Sequence, residues 1–130
     1  MPIQRVQSGS PWESRYGYCR ALRAGPMIFL TGTAPIGPDG KTVAPGDAHA
    51  QTARCFQIIE AALHALGADK TAIVRSRMYV TDISRADDFG RAHLDFFAGH
   101  RPCLTMVEVA ALIDPDMLVE IECDAMVETT

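Results

Sequence analysis

The chain has little with which to hold a metal, cross a membrane or grip a nucleic-acid backbone. No apolar run approaches the about 20 residues that a membrane-spanning helix needs. The four cysteines (Cys19, Cys55, Cys103, Cys123) stand singly with no CxxC pair, and His49, His64, His93 and His100 form neither HxH nor HExxH. Metal sites draw on clustered ligands, so no metal is expected. P-loop, GxGxxG and GxSxG signatures are missing as well. Basic residues are outnumbered, 12 Lys and Arg against 16 Asp and Glu, for a net charge of −4. Phosphate backbones are bound by clustered cations, which makes a nucleic-acid partner unexpected. The first residues, Met1 to Ser8, lack the apolar stretch of a secretory leader. Together with unpaired cysteines, this points to a reducing, cytoplasmic setting and no membrane partner.

What is present is an ordinary globular composition. The 48% hydrophobic and 22% charged content over 130 residues suits one domain, 1–130, with a core of its own. Residues 1–15 read as polar and irregular, with Trp12 as an anchor. Tyr16 to Leu22 reads as a short strand and Met27–Thr31 as a buried one, with Ala24-Gly-Pro26 turning the chain between them. Pro38-Asp-Gly40 marks a turn. From Ala48 to Leu66 apolar residues recur near a 3.6 period, with Asp47 as N-cap and Gly67 as terminator. Ile73 to Val80 alternates as a strand with Arg75 and Arg77 on one face. A second helix follows Asp82 or Ser84, with Phe89, Ala92, His93, Phe96 and Phe97 as its inner stripe.

The last third holds two extended segments, Arg101 to Leu112 and Leu118 to Met126, joined by a turn at Pro115. In the second, Val119, Ile121, Cys123 and Ala125 alternate with Glu120, Glu122 and Asp124. Three carboxylates on one strand face need water or cations beside them, and Arg75 and Arg77 are the available cross-strand partners. The pattern gives five strands and two helices, an α+β arrangement with both helices on one face of a mixed sheet. The uncovered face carries apolar residues, so a homo-oligomer is expected. Among the candidate chemical groups, Cys103 beside Arg101 has no partnering His, and His93 falls on a core stripe. Glu120 and its neighbours are the acid–base candidates.

Three stretches resemble the Rid proteins, the RidA, YjgF or L-PSP family. They are Tyr18-Cys-Arg-Ala-Leu-Arg-Ala-Gly with Ile28-Phe-Leu-Thr-Gly-Thr-Ala-Pro, then Met78-Tyr-Val-Thr-Asp-Ile, and finally Thr105-Met-Val-Glu-Val-Ala-Ala-Leu with Val119-Glu-Ile-Glu-Cys-Asp-Ala. The resemblance spans about residues 16 to 127. It implies a chorismate-mutase-like α+β fold: a mixed six-stranded sheet, two helices on one face, and a homotrimer binding a small-molecule ligand in inter-subunit clefts. It further implies hydrolysis of reactive enamines and imines to 2-keto acids and ammonia, as in a 2-iminobutanoate or 2-iminopropanoate deaminase. No cofactor is implied, because an imine is already electrophilic.

Carried onto this chain, the resemblance makes Glu120 the water-positioning carboxylate. Tyr18, Thr31, Gly32, Leu104 and Thr105 become cleft residues. Leu104 stands where the deaminase branch has an Arg that clamps the substrate carboxylate, and Leu cannot do so. That departure argues against the standard activity. A helix Asn of many members falls near Gly90. Arg101, three residues before Leu104, is the substitute cation, with Arg91 behind it. The alternatives are a ligand-binding homologue with a more apolar cleft, or an RNA-directed endoribonuclease or translation inhibitor, which the acidic charge disfavours.

Overall fold

A computed structural model describes residues 2–128. Strands β1 (Ile3–Val6), β2 (Ala21–Ala24), β3 (Met27–Thr33), β4 (Ile73–Val80), β5 (Cys103–Glu108) and β6 (Val119–Met126) form one sheet. Their order is β1-β2-β3-β6-β4-β5. Neighbours are antiparallel except β4 and β5, which run parallel because α3 (Ala86–Phe97) carries the chain back between them. Helix α2 (Ala48–Ala65) packs on β3 and β6, and α3 packs on α2. The expected α+β class, six-stranded mixed sheet and helix-covered face are all found.

The core lies between helices and sheet. Ile28, Leu30, Met78, Val80, Val119, Ile121, Cys123 and Ala125 face it from the strands, and Phe56, Ile59, Leu63, Phe89 and Phe97 from the helices. Each Val, Leu, Ile, Met or Phe among them contributes about 1.5–3 kcal/mol of burial. Asp47 caps α2 by accepting from Ala50 N at 2.9 Å. Gly67, at φ +79°, turns the chain out of that helix in a left-handed conformation that suits glycine. The buried Gln51 of α2 donates to Asp116 O at 2.9 Å and accepts from Leu118 N at 2.8 Å. This ties the start of β6, and with it Glu120, to the helix layer.

Three expectations need correction. The stretch read as irregular, 1–15, of which Met1 lies outside the described residues, holds edge strand β1 and the short helix α1 (Pro11–Tyr16), which Ser10 caps and Gly17 ends at φ +77°. The period-2 signal was too short and too exposed to show β1 in the sequence. The strand read from Tyr16 to Leu22 is instead the end of α1, a connection and the first half of β2. The alternation of β4 breaks at Val74, where Ile73 opposes Ala125 and Arg75 opposes Asp124, so one extra residue is inserted. Ile73 is therefore buried, although simple alternation places it with Arg75, and Val74 is 45% exposed.

Candidate functional site

The site begins with a bulge in β3. Leu30 opposes Cys123 and Thr33 opposes Ile121, so three steps along β3 match two along β6. Leu30 and Thr33 both face the core, leaving Thr31 and Gly32 as the irregular pair between them. Glu120 projects from the opposite face of β6 to the core residues Val119 and Ile121. Its carboxylate lies directly over Gly32, where a Cβ would meet Oε2 at 2.5 Å. Glycine serves here for space, not for backbone conformation, since Gly32 has no positive φ and a Cβ would displace the carboxylate.

Beneath this contact lies a buried polar network. Arg20, 7% exposed, donates from Nη1 to Gly32 O at 3.0 Å and to Thr33 Oγ1 at 3.0 Å. Its Nε is 3.4 Å from Glu13 Oε2, and Glu13 is itself only 3% exposed. Glu13 also accepts from Ser8 N at 2.9 Å and from the Ser8 hydroxyl. Thr31 Oγ1 donates to Cys19 O at 2.8 Å, locking the connection that precedes β2 onto β3.

Arg20, Thr31, Gly32 and Thr33 of this network help line a cavity of about 530 Å³. Tyr18, Arg20, Thr31, Gly32 and Glu120 meet there with Trp12 and Tyr16 from α1, and Ile36, Ile58, Ile113 and Met117 add apolar surface. Trp12 and Tyr16 stack with centroids 5.8 Å apart. A second cavity of about 650 Å³, on the Arg5–Leu22 side, shares Tyr18 but contains neither Gly32 nor Glu120. The smaller cavity is the better candidate because the unpaired carboxylate opens into it.

The acidic ladder divides in two. Arg77 Nη1 stands 3.3 Å from Asp124 and 3.9 Å from Glu122, and Glu122 accepts from the Tyr79 hydroxyl. Those two carboxylates are therefore paired, as the basic face of β4 suggested. Glu120 has no hydrogen-bond partner among the described residues. Burial pushes its carboxyl above the ordinary 4.5, with Arg20 pulling it down and Glu122 adding to the rise. An elevated, unpartnered carboxyl facing a cavity can hold a water and exchange a proton with it.

The structure brings Tyr18, Thr31, Gly32 and Glu120 together, but not Arg101, Leu104 and Thr105. The latter three lie on or just before β5, an exposed sheet edge, with β4 between it and β6. Leu104 stands beside Ser76, which is fully buried, so Leu104 turns to the helix side of the sheet, opposite to Glu120. Thr105 stands beside Arg77 on the outer face. Arg101 is exposed in the preceding loop and makes no hydrogen bond or ion pair among the described residues. One chain alone cannot close Leu104 onto Glu120.

Sequence reasoning missed Arg20, Arg54 and the α1 aromatics as pocket residues, and Glu13 as the partner of Arg20. Arg20 lies in the connection before β2, where no strand period applies, so its role was not legible. One expectation about a titratable group is met. His93 is a core histidine packed against Phe56 and Phe97, with burial lowering its pKa. Among the described residues no cluster of three or more His, Cys, Asp or Glu could hold a metal ion. No helix there is long and apolar enough to cross a membrane.

Residues 10–127 match the family model described as Endoribonuclease L-PSP. Among curated proteins, an uncharacterised protein of Streptomyces coelicolor is 34% identical over 95% of this chain and 91% of its own length. A RutC family protein of Pyrococcus abyssi is 31% identical over 85% of this chain and 87% of its own. Among solved structures, a member of the YjgF/YER057c/UK114 family from Mycobacterium tuberculosis is 45% identical with a TM-score of 0.88. That likeness covers 97% of this chain and 100% of the other. A Rid family protein of unknown function from Yersinia pestis, 29% identical, gives a TM-score of 0.86 over 97% and 100% of the two chains.

Proposed function

The chain belongs to the endoribonuclease L-PSP family, the Rid/YjgF group of small-molecule proteins, and from that premise we propose that it is a homotrimer hydrolysing a small imine or enamine in clefts between subunits. The observation that carries this reading is Glu120, raised in pKa, without a protein partner, and open to the cavity that Tyr18, Thr31 and Gly32 help line. In this reading the other wall of each cleft is β5 of the adjacent copy, with Leu104 and Thr105 on it and Arg101 at the rim. The opposed directions of Leu104 and Glu120 within one chain support a site completed by a second copy.

The chemistry follows from the group present. Glu120 holds a water against the imine carbon and takes its proton as the C–O bond forms. That proton passes to nitrogen to give a carbinolamine; Glu120 then moves the carbinolamine's hydroxyl proton to the same nitrogen, the C–N bond breaks, and ammonia leaves as the carbonyl forms. The carboxyl's raised pKa suits both halves of that cycle better than an ordinary surface carboxylate would.

The test is hydrolysis of 2-iminopropanoate, generated in situ, against buffer, with Glu120→Gln as comparison. Acceleration of at least tenfold that is lost in Glu120→Gln supports the reading, and no acceleration over buffer overturns the reaction. Sedimentation equilibrium checks the assembly, with three times the 14.1 kDa protomer expected. A second reading, binding of an apolar small molecule without turnover, is favoured by Leu104 and by the Ile36, Ile58, Ile113 and Met117 surface. The same assay separates the two.

A further inference from the structure

Arg20 uses only part of its donor set. A guanidinium carries five N–H donors. The Nε hydrogen goes to Glu13, and Nη1 serves Gly32 O and Thr33 Oγ1. Nη2 has no partner among the described residues. The side-chain atoms that are both sealed from solvent and unpartnered are Thr42 Oγ1 and His93 Nε2, so Arg20 Nη2 is not sealed in. Arg20 is one of the residues lining the cavity, and the side chain is otherwise 92% buried. Nη2 is thus the unpartnered edge of a side chain that helps line the cavity containing Glu120.

Two further features suit this edge to an anion. Glu13 accepts from Ser8 N, the Ser8 hydroxyl and Arg20 Nε, so it holds the guanidinium through Nε and leaves Nη2 uncovered. The low exposure around Arg20 also makes a hydrogen bond from its charge stronger than one from a surface cation. Arg54, the other cation lining the cavity, is less buried, with Nε on Ile36 O and Nη1 toward Gln57. Arg101 stays on the β5 side, at an exposed loop.

We infer that Arg20 is the anion-holding group of this cavity, offering its Nη2 edge to the carboxylate of a small 2-oxo or 2-imino acid. The ligand's charge then sits against the β2–β3 side of the cleft and leaves its apolar end toward Leu104 of the neighbouring copy. This deepens the proposed function by placing the substrate, and it rests on the same site, but not on turnover.

The experiment titrates full-length protein with pyruvate and with methyl pyruvate, its uncharged ester, by calorimetry. Wild type is expected to bind pyruvate at least tenfold more tightly than the ester. Arg20→Lys, which keeps the charge but loses the planar fork, is expected to bring that ratio below threefold, while Lys41→Ala, at an exposed cation outside the cavity lining, leaves it unchanged. Should Arg20→Lys not fold, Glu13→Gln with Arg20→Gln removes both buried charges together and is expected to fold without the preference. Nitrogen NMR of wild type is a further readout, in which the Arg20 side-chain signals shift with pyruvate and not with the ester. Equal binding of the two ligands by wild type overturns the inference, as does a folded Arg20 variant that keeps the preference. Anion binding through Arg20 without imine hydrolysis overturns the proposed reaction and leaves this role standing. Hydrolysis without anion preference does the reverse.

Discussion

Glu120 Oε2 occupies the place where residue 32 would carry a Cβ, 2.5 Å from that point. The strand bulge and the carboxylate meet at one point: the irregular stretch of β3 between Leu30 and Thr33 places Gly32 beside Glu120, and the missing Cβ leaves room for the acid. Gly32→Ala would push the carboxylate aside without straining the backbone, because Glu120 is a flexible side chain with an open cavity beside it. The expected outcome is a fold cost of about 1 kcal/mol, a fall of a few degrees in melting temperature. Imine hydrolysis is expected to drop at least tenfold, since positioning within about 0.5 Å is what a catalytic group requires. Unchanged kinetics in Gly32→Ala would mean that the contact has no catalytic role.

The elevated pKa of Glu120 has a consequence for stability that can be read without any substrate. Burial raises the folded-state pKa above the unfolded one. Between the two values the native state binds more protons than the unfolded state, so stability falls as pH rises through that window. Below the unfolded pKa the carboxyl is neutral in both states and imposes no penalty. Glu120→Gln removes the titration. It is expected to melt above wild type at pH 8 and to lose that advantage by pH 4, at matched protomer concentration. A wild type more stable than Glu120→Gln at pH 8 would reverse the assigned direction.

Glu13 and Arg20 make the opposite case, a buried pair that gains little as a unit but is costly to break. Glu13→Ala leaves a guanidinium with reduced compensation beside the core, and a loss of about 3 kcal/mol is expected in urea unfolding. Removing both charges with Glu13→Leu and Arg20→Met should cost less than the sum of the single changes. Additive losses would show that the pair is not coupled.

How much of this was legible depends on what each element's neighbours do. Helix α2 announced itself because Ala48, Thr52, Cys55, Phe56, Ile59, Ala62, Leu63 and Leu66 bury against the sheet at helical spacing. Strand β6 did the same at period 2. The ladder's partners were legible too, since Arg77 is where alternation puts a cation beside Glu122 and Asp124. Alternation fails where a residue is inserted, so the bulges at Val74 and at Thr31–Gly32 were invisible, and the second of these builds the site. Glu13 and Arg20 meet from a helix and the residue before a strand, seven positions apart, a contact no local period encodes. Leu104 and Thr105 were named correctly as strand residues. That β5 is an edge strand, with Leu104 turned from Glu120, emerges only from the strand order.

That orientation makes Leu104→Arg the most informative substitution in the molecule. Leu104 is 41% exposed on β5, so the change carries little folding cost, within about 0.5 kcal/mol. A new guanidinium there cannot reach Glu120 of its own chain, because the two side chains leave opposite faces of the sheet. Any gain in pyruvate affinity or imine hydrolysis must therefore come from contact with the cavity of another copy. About tenfold in either is expected, worth about 1.4 kcal/mol, the scale of one charge-assisted contact. The gain should disappear on dilution below the concentration at which the oligomer separates. If Leu104→Arg stays folded and oligomeric but changes neither quantity, β5 does not close the cleft, and the site proposed to lie between subunits belongs to one chain after all.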